Sequence, residues 1–213
     1  MRTKVSELTP TSISNLIAWW DASEGVTTSS GFVSNWFDKI GSKDAAQSNS
    51  SYRPLYSSSS SNLNSNPSII FDGLNDYLVY NNEIQVTPDF TYIIVCHPTD
   101  NSIEMRLSSW IYNNPPQFFM PLRLYTNSTS SGFARVDNAG QITPQLSSWS
   151  INNTYVFSTT YEENVEFIHY RDKNKSVAKS VTSDWQDGGA NSTGIFPIGT
   201  NRNTDNNLSL IHI

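Results

Sequence analysis

Three groups of residues have the types and spacing to do chemistry. The densest acidic stretch is "YEENVEF", which holds Glu162, Glu163 and Glu166. Two carboxylates can divide acid and nucleophile or base roles at a glycosidic bond when one is protonated and the other ionised. In an extended strand Glu162 and Glu163 face opposite sides, and Glu166 shares a face with Glu162. The longer run "YEENVEFIHYRDKNKSV" reads as strand, turn, strand, so the expectation is a solvated hairpin turn. The second group is "DGLND", with Asp72, Asn75 and Asp76. Clustered Asp and Asn oxygens suit a hard cation such as calcium. The spacing is not that of an EF-hand, however, and no single loop supplies a full set of carboxylates. The plainer expectation is a hairpin turn in which Gly73 takes a positive φ and the three polar side chains bond back to the backbone. No cofactor is required by the sequence, and calcium is the one ion this loop would take.

The third group pairs aromatic rings with arginines. Period-two alternation in "MRLSSWIY" places Arg106, Trp110 and Tyr112 on one face and Met105, Leu107 and Ile111 on the other. In "QFFMPLRLYT" it places Phe119, Arg123 and Tyr125 opposite Phe118, Met120, Leu122 and Leu124. In "GFARVDN", Arg135 shares a face with Phe133 and Asp137. Rings that stack on sugar C–H faces, beside Arg donors for hydroxyls, are what a carbohydrate groove presents. The competing expectation is that Trp110 and Tyr125 belong to the core or cover a sheet edge.

Other chemistries find no support. There is no G-x-S-x-G, no H-E-x-x-H or H-x₃-H, and no glycine loop for phosphate. His97 and His169 lie in strand-like runs beside aromatics, where a hydrogen-bonded structural role is expected. Cys96 is the single cysteine, so neither an internal disulfide nor a multi-Cys zinc site can form. Its run "FTYIIVCHP" predicts a buried, inert thiol. Net charge is −6, and the thirteen Lys and Arg residues are scattered. Nucleic acid and anionic membrane surfaces need clustered cations, so both are set aside. The run "MRTKVSELTP" lacks the apolar core of a secretory signal, and "LIAWW" and "YIIVC" are far too short to span a bilayer.

The elements that must position these residues are strands. Short β-branched and aromatic runs recur along the chain, separated by Asn, Gly, Pro and Ser. "GFVSNWFDKIG" alternates, and "PSIIFDGLNDYLVYNN" predicts strands over Ser68–Phe71 and Tyr77–Tyr80 joined by the "DGLND" turn. "YSSSSSNLNSNP" predicts a surface loop. Only "TPTSISNLIAWW" hints at a turn of helix, starting at Thr11 or Ser12. Apolar residues make up 37%, but six Trp, ten Tyr and ten Phe supply enough area for one core in 213 residues.

Several pieces occur in a set order: Leu16, Trp19, Asp21, Val33, Trp36, Asp38, Arg53–Pro54, Pro67, Ile70–Gly73, Asp76–Leu78 and Ile198–Gly199. Their order and spacing over roughly residues 10–200 resemble the concanavalin A-like, laminin-G-type jelly-roll domains of bacterial and phage surface proteins. The resemblance implies an all-β, two-sheet antiparallel jelly-roll sandwich. It also implies a location on a virion or extracellular surface. Glycan-active enzymes on this sandwich carry an E-x-D-x-E strand motif, which is missing here, so the expectation is a non-catalytic module. Its partners are then a glycan or other virion or surface proteins. Two alternatives stay open: a purely structural protein decorating a capsid or tail, and an accessory domain of a longer glycan-active enzyme.

The domain expectation is one sandwich over 1–207, with 1–10 as an N-terminal arm. Members of this family usually continue after the "IG" with a further strand. In its place stands "LSLIHI", Leu208 to Ile213, which resembles the in-frame translation of sequencing-adapter DNA. The natural frame is therefore expected to be cut at Asn207, with a closing strand lost.

Overall fold

The computed structural model describes residues 10–41, 43–80, 89–100, 105–112, 117–124, 130–137, 140–142, 145–147, 149–162, 165–176, 178–180, 197–198 and 211–212. For the strands between residues 105 and 147 other than Leu124, and for 179–180, 197–198 and 211–212, the backbone pairing alone is described.

The strands are β1 (Val26–Ser29), β2 (Phe32–Trp36), β3 (Ala45–Ala46), β4 (Leu55–Ser60), β5 (Asn66–Phe71), β6 (Leu78–Tyr80), β7 (Phe90–Pro98), β8 (Met105–Tyr112) and β9 (Gln117–Leu124). They continue as β10 (Ser130–Asp137), β11 (Gly140–Ile142), β12 (Gln145–Ser147), β13 (Tyr155–Glu162), β14 (Glu166–Arg171), β15 (Asn174–Lys175), β16 (Lys179–Ser180), β17 (Pro197–Ile198) and β18 (Ile211–His212). Among the described residues the only helical pieces are single 3₁₀ turns at Pro10–Ser12, Ser50–Tyr52 and Ser61–Leu63.

Every pairing among the described strands is antiparallel. One ladder runs β1–β2–β3–β6–β17–β8–β9–β10. The other runs β4–β5–β18–β7–β13–β14. Among the described residues a single pair, Phe32 with Leu55, joins them at a corner. Val33, Trp36, Ala45, Leu78 and Tyr80 of the first ladder pack with Ile69, Phe71, Tyr161 and Phe167 of the second. This apolar layer between two sheets makes the protein an antiparallel β-sandwich. A second cluster joins Ile94, Cys96 and Phe157 to Leu124 and Trp149. Each such fully buried ring contributes about 2–3 kcal/mol of apolar transfer energy. Cys96 is buried in this cluster, and burial pushes its thiol far up, as the apolar run around it predicts.

The structure departs from the sequence reading in three places. Strict alternation in β2 would separate Val33 from Trp36 by facing, yet both are buried. The β1–β2 register shifts between Thr27 and Thr28, leaving an extra residue on β2 at Ser34. One inserted residue reverses the facing of everything after it. The Ser-rich run is not a loop. Leu55–Ser60 forms β4 and pairs with β5, Tyr56 opposite Ile69 and Ser57 opposite Ser68. The turn is confined to Ser61–Ser65, where Asn64 and Ser65 take positive φ.

The third departure concerns "DGLND". Its flanking strands were expected to pair as a hairpin. Instead β5 pairs with β4 and β18, whereas β6 pairs with β3 and β17. The loop is a crossover between the two layers. Local sequence encodes the tight turn but not which ladder the next strand joins. At the end of the chain, Ile211 and His212 pair with Phe71 and Ile70 on one side and with Pro98 and His97 on the other.

Candidate ligand-binding cleft

The segment after Pro10 is pinned by a buried carboxylate. Asp38 Oδ1 accepts the N–H groups of Trp19 at 2.9 Å and Ile40 at 3.0 Å, and Oδ2 accepts those of Gly41 at 3.3 Å and Lys43 at 3.2 Å. Lys39 N donates to Trp19 O at 2.8 Å, closing the clamp. Trp20 Nε1 donates to Lys43 O at 3.0 Å. Lys39 Nζ lies 3.9 Å from the centre of the Trp19 ring and bridges to Glu24 and Asp21 at 2.8 and 3.6 Å. Burial opposes charge on Asp21, but the Ser23 hydroxyl and N–H and the Lys39 ammonium outweigh it and hold the carboxyl below its usual range. Trp19, Asp21 and Asp38 are thus scaffold, and what they position is Trp20 and the irregular segment before it.

That run, Ile13–Ala18, forms one wall of a cleft of about 730 Å³. The opposite wall comes from β6, β7, β13 and β14. Two aromatic stacks lie beside it: Trp20 on Tyr80, with centroids 4.7 Å apart, and Phe90 on Tyr161 at 5.5 Å; Tyr80 and Tyr161 are buried in the core, and Trp20 and Phe90 are half-buried against them. Tyr92 adds a fifth ring. Ser14, Asn15, Thr91 and Thr160 line the same cleft, as do Asp89, Glu162 and Glu166.

Register explains the acids. Glu162 is the direct cross-strand partner of Glu166 in the β13–β14 hairpin. Tyr161 pairs with Phe90, so Asp89, one residue earlier, takes the register position beside Glu162. Three carboxylates therefore share one row across the sheet. The hairpin expected of "YEENVEF" is present and Glu162 is exposed on it; Glu162 and Glu166 also line the cleft, and Glu163 lies outside the described residues. Nothing local marked Asp89, Trp20 or Tyr80 as their neighbours, because the sequence separations run from dozens to well over a hundred residues.

The expected calcium ligands have other partners. Asp72 Oδ1 accepts the N–H groups of Leu74, Asn75 and Asp76 at 2.8, 3.1 and 3.3 Å, and Asp76 Oδ2 accepts Asp72 N at 3.0 Å. Gly73 sits at φ 77. Burial pushes the Asp76 carboxyl up to about 6, the Asp72 N–H opposes this, and the Asp72 charge adds to it. Among the described residues no three His, Cys, Asp or Glu side chains converge as a metal site.

The aromatic–arginine candidates fall on β8, β9 and β10, with Tyr125 outside the described residues. Arg106 is registered opposite Arg123, Tyr112 opposite Gln117, and Trp110 and Arg135 both opposite Phe119 from its two sides. The register shifts between Arg106 and Ser108 and again between Ser108 and Trp110. The two shifts are of opposite sense, one extra residue on β8 and then one on β9, so the cross-strand register at Trp110 is the same as at Arg106.

His169 and His97 are structural in their contacts. His169 is fully buried, stacks on Phe157 with centroids 5.8 Å apart, and has Nδ1 3.1 Å from Thr159 Oγ1. Burial, helped by the Arg171 charge, pulls its pKa down to about 4. His97 Nδ1 lies 3.0 Å from Thr154 Oγ1, and burial lowers its pKa.

No protein-family profile matches the chain, and no curated protein matches it in sequence. Among solved structures it is similar to Trypanosoma rangeli sialidase in complex with 2,3-difluorosialic acid, with TM-score 0.63 and 13% identity, over 94% of this chain and 30% of that one. It is also similar to the binding domain of botulinum neurotoxin serotype G, with TM-score 0.51 and 10% identity, over 83% of this chain and 43% of that one. The chain thus spans less than half the length of either. At these identities the likeness is one of fold, that of a β-sandwich.

Proposed function

We propose that the protein is a carbohydrate-binding module, a concanavalin A-like sandwich of the laminin-G type on a virion or cell surface. The observation that carries this reading is the cleft, where the half-buried rings of Trp20, Phe90 and Tyr92 share the lining with Ser14, Asn15, Thr91, Thr160 and carboxylate residues. Rings shield sugar C–H faces, and the polar groups pair with hydroxyls. The ordered run of motif residues supports the family, and the sandwich topology supports the fold behind it. The β8–β10 surface around Trp110 and Arg135 is a second place where a glycan would bind, and calcium at Asp72, Asn75 and Asp76 belongs to the same proposal.

A glycan array followed by titration calorimetry tests it. Glycan binding lost in Trp20→Ala and kept in Trp110→Ala assigns the cleft; the reverse assigns β8–β10. An array with no binder leaves a purely structural role and overturns the proposal. The facing Glu162 and Glu166 favour one further reading, glycoside hydrolysis with one acid and one nucleophile or base. Release of reducing ends from a bound glycan, abolished by Glu162→Gln, would establish it.

A further inference from the structure

The segment Ile13–Ala18 borders the cleft, and both of its ends are fixed. Ile13 N donates to Pro10 O at 3.0 Å. Just past Ala18, Trp19 N donates to Asp38 Oδ1 at 2.9 Å, and Trp19 O accepts Lys39 N at 2.8 Å. Between these anchors the bonding stops. Among the described residues Ser14, Asn15, Leu16, Ile17 and Ala18 make no hydrogen bond, through main chain or side chain. Asn15 turns the chain at φ 62, a left-handed value that Asn tolerates better than most residues. The side chains add little polarity to this wall: Ile13 and Ile17 are 49% and 41% exposed, and Leu16 and Ala18 are half-buried. Main-chain N–H and C=O groups need a partner, whether water or a ligand. A peptide unit offers one uncharged donor and one acceptor, and a sugar hydroxyl offers the same pair in return. A carboxylate would use only the N–H groups and an ammonium only the carbonyls, so either would leave half of the wall unpaired.

We infer that the main chain of Ser14–Ala18 is a hydrogen-bonding wall of the cleft, that it takes the hydroxyls of an uncharged oligosaccharide, and that its amides become protected when the sugar binds. This rests on the reading of the cleft as a glycan site and adds the groups that hold the ligand and the ligand's charge class. The Asp38 clamp keeps the segment in place without using the groups it presents.

The test combines hydrogen exchange with calorimetry on the full chain, using laminaritetraose, chitotetraose and sialyllactose as probes. In the free protein the amides of Asn15, Leu16, Ile17 and Ala18 should exchange about a hundredfold or more faster than that of Phe157 in β13. With an uncharged tetrasaccharide bound, at least one of them should slow by about tenfold. An ester in place of the peptide N–H at each of these positions in turn should weaken that binding by about tenfold at one or more of them, the effect of one hydrogen bond. The esters should leave the melting temperature unchanged, since these N–H groups have no partner in the free protein; a fall would place them in the fold and overturn the inference. Slow exchange of all these amides in the free protein, sugar binding that protects none of them, esters that all leave the affinity unchanged, or tighter binding of sialyllactose than of either tetrasaccharide overturns the main-chain wall while leaving a glycan site in place. Protection by a Thr-Val octapeptide and by none of the sugars overturns it too, because the segment then pairs with a strand. If none of the three sugars binds, nor any glycan on the array, the reading of the cleft has failed and this inference with it.

Discussion

The indole of Trp20 stacks on the ring of Tyr80 with centroids 4.7 Å apart and planes inclined by 22°. This contact ties the segment after Pro10 to β6 and forms one side of the cleft. Trp20→Ala should cost about 3 kcal/mol of stability and remove glycan binding. Trp20→Phe keeps a ring over Tyr80 and loses only the bond to Lys43 O, so it should cost about 1 kcal/mol and retain binding. Chemical denaturation and calorimetry on the two variants separate stacking from mere presence of the segment.

Asp38 should matter far more than its place on a loop suggests. Its two oxygens hold four N–H groups, and alanine leaves the buried ones unpaired. Asp38→Ala is expected to lower stability by about 3 kcal/mol or more. Because the clamp positions Trp20, protection from hydrogen exchange should fall at Trp19 and Trp20 before it falls in β13.

Two groups set opposing trends between about pH 4 and 6.5. His169 has its pKa pulled down to about 4 in the folded state. The unfolded chain then binds a proton that the folded chain does not, so the stability is full above the unfolded value and drains as pH falls through this window. Asp76 behaves in reverse. Its folded pKa is raised to about 6, so its contribution is largest in acid and is lost as pH rises from about 4 to about 6. Asp76→Asn keeps an oxygen for Asp72 N without the charge. It should raise the melting temperature at pH 7 relative to the parent, with no gain below about pH 4. His169→Gln should flatten the acid-side loss, whatever its effect at pH 7. A melting-temperature series against pH on the three proteins checks both signs.

Cys96 is fully buried and its thiol is pushed far above its ordinary range. A water-soluble disulfide reagent should leave the native protein untouched and modify one thiol per chain after denaturation. Reaction at equal rates in both states would contradict the packing of the Ile94, Phe157 and Leu124 cluster.

Much of this architecture follows from local patterning. The runs around Phe90–Pro98 and Tyr155–Glu162 alternate as strands, and their inward sets are the ones found buried: Ile94 and Cys96, and Phe157, Thr159 and Tyr161. Aromatic content and turn residues point to a single sandwich, because side-chain period and turn chemistry act over a few residues. The buried cysteine and the Asx-type bonding of "DGLND" are local in the same sense.

What only the tertiary structure decided depends on register and on long-range pairing. An inserted residue at Ser34 put Val33 and Trp36 on the same core. Strands β5 and β6, adjacent in sequence, went to different ladders. The cleft gathers Ile13–Ala18, Trp20, Tyr80, Asp89–Tyr92, Thr160–Glu162 and Glu166, whose separation along the chain leaves no periodic trace. Closing such contacts is a matter of which strands meet across the sandwich. That choice is made by the whole core at once, since a one-residue slip in any ladder would turn its buried face to water.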